Sequence, residues 1–299
     1  MPTAEMEYTH EPVLLDEVLS RLVWDPSGLY VDCTLGLGGH SEAILNKISA
    51  QGKLLGMDMD PEALELTEIR LKAHNTGTYR LVHGNFRDLG QLLEREKFFP
   101  LAGALLDLGV SSLQFDKPSR GFSFQGEGPL DMRMDPSNPL TAARILNEWP
   151  AEQLALLFKE FGEVPEAAKV AKWAVERRGR KPFETTSELR ELLESRLPRK
   201  GGTHPATQVF MALRIAVNRE LENLTRGLES LFGFLRQGGR VAVISFHSLE
   251  DRIVKHVFQS YVAEGQARLI TPAPVRASAE ELERNPRSRS AKLRVMEKL

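Results

Sequence analysis

The stretch Leu29–Leu45, LYVDCTLGLGGHSEAIL, decides how the chain is read. Leu29, Tyr30 and Val31 form an apolar run of the kind a buried parallel strand requires. Asp32 follows, then the turn Thr34-Leu35-Gly36-Leu37-Gly38-Gly39, then a helical pattern beginning at His40 or Ser41. A strand ending in glycines and feeding a helix lets a ligand approach bare backbone beside the helix N-terminus. Lys53–Asp58, KLLGMD, reads as the next strand and again ends in a carboxylate. Asp58 lies 20 residues beyond Gly38, about the offset at which an acidic residue meets ribose hydroxyls in nucleotide-binding units. The glycine spacing is G-x-G-G after D-x-T, and the third glycine of the dinucleotide pattern G-x-G-x-x-G, in which the helix N-terminus receives a pyrophosphate, is absent. The competing interpretation is an ordinary strand–glycine–helix turn with no ligand; Asp58 at that offset weighs against it.

Working outward, Glu11–Val23 has apolar positions at helical spacing, and Asp60-Pro61 is a natural cap and first residue for a helix running to about Ala73. Tyr79–His83 reads as a third strand, ending near Asn85 and Phe86, which would face an adenine in a doubly wound sheet. Leu101–Asp107, LAGALLD, is nearly all apolar and therefore central. Three strands thus end in Asp32, Asp58 and Asp107. Carboxylates at sheet ends give nothing to packing and are costly to bury unpaired, so they point to a polar ligand.

After Phe115 the pattern changes. A long irregular segment, about 117–135, carries aromatics and alternating charges, and loops of that length are commonly functional. Helical patterns follow at 140–148, 151–161, 165–178 and 184–193, with one long pattern from 204 to 235. Arg240–Ser245 then resumes the sheet, ending at Phe246-His247-Ser248. A helix near 250–261 and short strands near 268–270 and 292–297 complete it. The expected organisation is a discontinuous α/β domain, 1–116 and 217–299, interrupted by an inserted loop and helical domain, 117–216.

Composition sets outer bounds. The 299 residues are 41% hydrophobic and 27% charged, as in a globular protein with ample core. No apolar run reaches the ~18–20 residues of a membrane span, and the acidic start MPTAEMEYTHEP does not resemble a leader. The single cysteine, Cys33, excludes an internal disulfide and a multi-cysteine metal site and suits a reducing cytoplasm. Neither the seven histidines nor the acids show metal-ligand spacing, so no metal is expected. Net charge is -2, yet basic residues cluster at 177–181, at Arg199-Lys200 and along 284–294, and local patches rather than net charge set phosphate attraction. Each cluster taken alone also fits a solvated helix face or tail.

On specific segments the chain resembles the RsmH (MraW) family of bacterial methyltransferases. These are HEPVL at 10–14, GLGGHS at 36–41, DLGVSSLQFD at 107–116, RGFSF at 120–124, GPLDMRMD at 128–135, HPATQVFMALRIAVNREL at 204–221, ISFHSLEDRIVK at 244–255 and NPRSRSAKLRV at 285–295. The resemblance implies a class I S-adenosylmethionine (SAM)-dependent methyltransferase, Rossmann-like and mostly parallel, with an inserted all-helical domain. It implies methylation of the exocyclic N4 of a cytidine in small-subunit (16S) ribosomal RNA, the RNA being free or in the assembled subunit; monomer and homodimer are both compatible. Residue by residue it implies cofactor contacts from Gly38, Gly39, His40, Asp58, Phe86, Asp107 and Gln114. Asp131, Arg133, Asn218, Arg219, Ser245 and His247 lie in the same segments, away from that rim, and are candidates for RNA or base contact. For His247 the alternative is a satisfied histidine after a strand, and for Arg219 an ion pair with Glu220. Many amino methyltransferases follow strand 4 with an acid or amide, Pro-Pro and an aromatic. Here the place reads Asp107-Leu108-Gly109-Val110, so Asp107 is the one weak catalytic candidate. The alternatives kept open are a SAM methyltransferase acting on DNA or a protein amide, and a nucleoside-binding sensor without turnover.

Overall fold

The computed structural model describes residues 11–73, 78–197, 204 and 206–299. His10 and the Arg199-Lys200 cluster lie outside them. In chain order the described strands are β1 Leu29–Asp32, β2 Lys53–Asp58, β3 Thr78–His83, β4 Leu101–Asp107, β5 Leu235–Ser245, β6 Ala267–Leu269 and β7 Lys292–Lys298. The helices are α1 Leu15–Leu22, α2 Gly39–Lys47, α3 Pro61–Ala73, α4 Leu89–Glu96, α5 Ser112–Asp116, α6 Ala142–Glu148, α7 Ala151–Glu160, α8 Ala167–Arg178, α9 Thr186–Arg196, α10 Ala206–Asn218, α11 Glu220–Phe234, α12 Ser248–Ala263 and α13 Ala279–Arg284. Two compact units divide them, 1–109 with 223–299, and 110–222.

In the first unit the strands form one sheet in the order β3-β2-β1-β4-β5-β7-β6. β1 through β5 are parallel, and β7 runs antiparallel between β5 and β6. Because successive side chains on a strand face opposite sides, the apolar runs supply two cores at once. Val31, Leu55, Leu106, Val241 and Val243 pack on one face with Leu93, Leu228 and Phe258. Tyr30, Leu54, Leu105, Ala242 and Ile244 pack on the other with Val18, Ile44 and Leu71. A continuous apolar run is what a strand covered on both faces needs, and β4 is buried from Leu101 through Leu106. This is the class I Rossmann-like sheet, and its strand order reverses between β1 and β4, the place where such sheets leave a crevice at their C-terminal edge.

The second unit is helical. α7 and α8 pack as a pair, and α10 lies against α6, α7 and α9. Ile145, Leu146, Leu154, Phe158, Val170, Leu189, Leu193, Val209 and Leu213 are buried there. The helical pattern expected to run unbroken from 204 to 235 is instead two helices. α10 stops at Asn218, Arg219 turns left-handed at φ 52°, and α11 begins at Glu220. Arg214 and Glu220 form a two-bond ion pair across the break, both contacts 2.8 Å. Apolar spacing continues through the bend because each half buries its own stripe, so periodicity alone does not register it.

Candidate functional site

The C-terminal edge of the parallel strands gathers the acids. Asp32, 1% exposed, accepts a 2.7 Å bond from the Ser41 hydroxyl and one from the Thr34 amide, binding the strand end to the first turn of α2. Burial pushes its carboxyl up to about 6, against the pull of those two donors. Asp58 accepts the Gly36 amide on one oxygen (2.8 Å) and the Asp60 amide on the other (2.9 Å), and burial lifts it to about 6 as well. Its carboxylate therefore shapes the glycine turn, and each oxygen keeps a second lone pair for a ligand.

The turn itself is tightly determined. Gly38 sits at φ 76°, where a side chain is strained, and a Cβ there would come 2.5 Å from the Thr67 methyl. A Cβ on Gly39 would overlap Pro12. Thr67 also donates its hydroxyl to the Gly36 carbonyl. These glycines are required by the protein's own packing as well as by any ligand.

Asp107 ends β4. Its amide donates to the Thr34 hydroxyl (2.6 Å), and its Oδ2 lies 3.6 Å from His40 Nδ1. Its Oδ1 is sealed from water, and no donor reaches it among the described residues. Burial, then the nearby charges of Asp32 and Glu250, drive the Asp107 carboxyl well above the usual carboxylate range. A buried carboxyl oxygen without a donor costs on the order of 1–3 kcal/mol.

Of the residues expected to hold a cofactor, Gly38, Gly39, His40, Asp58 and Asp107 converge on this edge. Phe86 opens a short 3-10 turn capped by Asn85, and its half-buried ring packs on the core against Gly227. Gln114 belongs to the second unit, where it is buried and closes a capping box with Ser111 at the start of α5.

The residues expected at RNA are put to several uses. Arg133 forms a two-bond pair with Asp131 and donates to the carbonyls of Pro136 and Asn138, so both charges brace their own loop. Asn218 is buried, accepting the Met134 amide and donating to the carbonyls of Met132 and Arg214. Arg219 is exposed at the bend. Ser245 is 1% exposed and donates to the Lys292 carbonyl at 3.5 Å. His247 caps α12: its Nδ1 accepts the Glu250 amide, while Glu250 accepts the amides of Phe246 and His247. His247 Nε2 lies 3.1 Å from Glu250 Oε1 but off the hydrogen-bonding direction.

Sequence reasoning missed Thr34, Ser41 and Glu250 as parts of this edge. The signals were present, since Thr34 belongs to D-x-T, Ser41 opens the helix after the turn, and Glu250 stands three residues beyond His247 at capping-box spacing.

With the geometry in hand, the chain was compared with known proteins. The model of the MraW methylase family matches residues 7–299. The curated ribosomal RNA small subunit methyltransferase H of Caldicellulosiruptor saccharolyticus is 46% identical, over 98% of this chain and 100% of its own length. The protein of that name from Thermomicrobium roseum is 48% identical, over 97% of this chain and 94% of its own. A solved rRNA methylase from Streptococcus thermophilus superposes with a TM-score of 0.45 at 12% identity, over 95% of this chain and 93% of that one.

Proposed function

We propose, for a chain that belongs to the MraW methylase family, that it transfers a methyl group from SAM to the exocyclic N4 of a cytidine in small-subunit (16S) ribosomal RNA. The observation that carries the cofactor half is the convergence of Asp58, Asp107 and the Gly38–Gly39 turn on one sheet edge, with Asp107 Oδ1 buried and lacking a donor. These residues fit an adenosyl group with an amino-acid tail. Asp58 has free lone pairs for ribose hydroxyls, the glycine turn brings partly exposed backbone at Gly36 and Gly39 to the same edge, and Asp107 needs a hydrogen-bond donor. The RNA half is supported by the curated relatives' name, over nearly the full length of both chains.

When bound, SAM supplies a methyl group made electrophilic by its sulfonium. The protein's part is to hold donor and acceptor in line, and such positioning can remove roughly 7–11 kcal/mol of barrier. The N4 lone pair of cytosine is delocalised into the ring. An acceptor aimed at the amino hydrogens would localise it and support the charge that develops. Asp107 is the candidate for that contact as well as for the cofactor. The target base must leave its stack to reach the edge, and we assign its recognition to Asp131, Arg133, Asn218 and Arg219 of the inserted unit and to Ser245 and His247 of the sheet unit as candidates. Among the described residues no helix is long and apolar enough to cross a membrane. We place the enzyme in the cytoplasm, where ribosomes are assembled.

The test uses small subunits from a strain lacking the enzyme, incubated with the purified chain and SAM carrying a tritiated methyl. Nucleoside digestion should return the label as N4-methylcytidine derivatives. Label at another atom, in DNA or in protein would replace this substrate, and SAM binding without any transfer would make the chain a sensor.

A further inference from the structure

The cofactor turn is held from outside the parallel strands by a strap, Glu11–Leu14, which the C-terminal part of the chain pins in place. Leu14 is a left-handed residue (φ 54°) at the start of α1, fully buried, so its amide has neither water nor a helical acceptor. Glu281, 267 residues away in sequence and itself buried, accepts that amide at 2.7 Å. The buried Asn285 donates to the Glu11 carbonyl at 3.0 Å, and Arg284 pairs with the Glu11 carboxylate at 2.9 Å. Held this way, the strap touches both turn residues. Pro12 occupies the space above Gly39, and the Val13 carbonyl lies 3.0 Å from His40 Nε2. A carbonyl only accepts, so that contact requires the hydrogen on Nε2 and turns Nδ1 toward Asp107, 3.6 Å away.

We propose that Glu281 is a positioning residue of the methyl-transfer site: by holding Leu14 left-handed it seats Pro12 and Val13 on the cofactor turn and fixes His40 with its proton on Nε2. The functional consequence rests on the SAM reading above; the tautomer does not. With its hydrogen on Nε2 the ring faces Asp107 through Nδ1, so the side that His40 turns to the acid depends on a glutamate donated by the far end of the chain.

The experiment reads the His40 ring by long-range 1H–15N correlation on the full chain carrying 15N-labelled histidine, with the signals assigned by their loss in H40Q. In the wild-type chain the Nε2–H form is expected, and an Nδ1–H ring overturns the proposal whether or not any variant folds. In E281A the tautomers should mix, and SAM should bind about tenfold more weakly by calorimetry, the loss of one charge-assisted bond. E281Q, whose amide oxygen can still accept the Leu14 amide, should restore both readouts. A folded E281A with wild-type tautomer and affinity overturns the proposal. Wild-type chain that binds no SAM would remove the cofactor reading, while the ring measurement still decides the strap.

Discussion

Two charged regions of this molecule are built on opposite principles. At the sheet edge of the first unit, acids are buried or half-buried with their needs only partly met. Asp32 and Asp58 are raised to about 6 and Asp107 further, with one of its oxygens lacking a donor. In the loop of the second unit, around Asp131–Asn138, charges and amides are matched to one another. Arg133 is bonded to Asp131 and to two carbonyls, Arg120 donates to the carbonyls of Arg133 and Met134, and Asn138 donates to Val217. The first arrangement leaves acceptor capacity unused at one edge of the sheet. The second fixes the shape of a long loop that has little regular structure of its own, since buried backbone groups must be paired. Alternating charge in a loop is thus no sign of contact by itself; unsatisfied burial is the stronger one.

The sharpest way to break the comparison is D58A. If the sheet edge holds SAM, losing the acceptors for ribose and for the Gly36 amide should weaken SAM binding about 100-fold, or ~3 kcal/mol, by calorimetry on the folded variant. Unchanged affinity would end the ribose role.

Next in size is D32N, read as stability against pH. Asp32 titrates near 6 in the folded chain and at 3.8 unfolded, so between those values the folded state binds more protons. Stability therefore falls as pH rises from about 4 to 6, and the cost is full above 6 and absent below 4. The shift corresponds to a ceiling of roughly 3 kcal/mol, reduced by relaxation around the site. Denaturant titrations should show that D32N flattens this decline and leaves the shares due to Asp58 and Asp107. An unaltered slope would mean that Asp32 is not buried as charged.

The loop predicts the opposite behaviour. N218A removes partners from the Met134 amide and the Met132 carbonyl, and should cost about 2 kcal/mol of stability with SAM affinity unchanged. A loss of SAM affinity without a loss of stability would show that the loop serves the ligand directly. Smallest of all is R144A, which breaks the exposed Arg144–Glu148 pair on α6. No resolvable change in melting temperature is expected by thermal denaturation.

Much of the site was legible because it is local. Asp32, Asp58 and Asp107 each end an apolar run, and Gly38 and Gly39 sit between the first run and its helix, so strand ends and turn declare themselves within a few residues. What misled was local as well. Val13 and Leu14 continue the apolar spacing of α1, yet both precede the helix: Leu14 is its left-handed cap, and its amide bonds Glu281. Asp131 and Arg133 stand two residues apart in a loop, and nothing in their order tells that each is the other's partner.

The chain alone therefore determined the parallel α/β sheet and the acids at its strand ends, since apolar period, turn residues and strand ends act over short distances. Folding in three dimensions decided which acids are satisfied, where the chain turns after Asn218, and that a glutamate near the C-terminus reaches the Leu14 amide ahead of α1. Those outcomes depend on which distant segments come to share one buried space, and a hydrogen bond between residues 267 apart leaves no periodic trace in either of them.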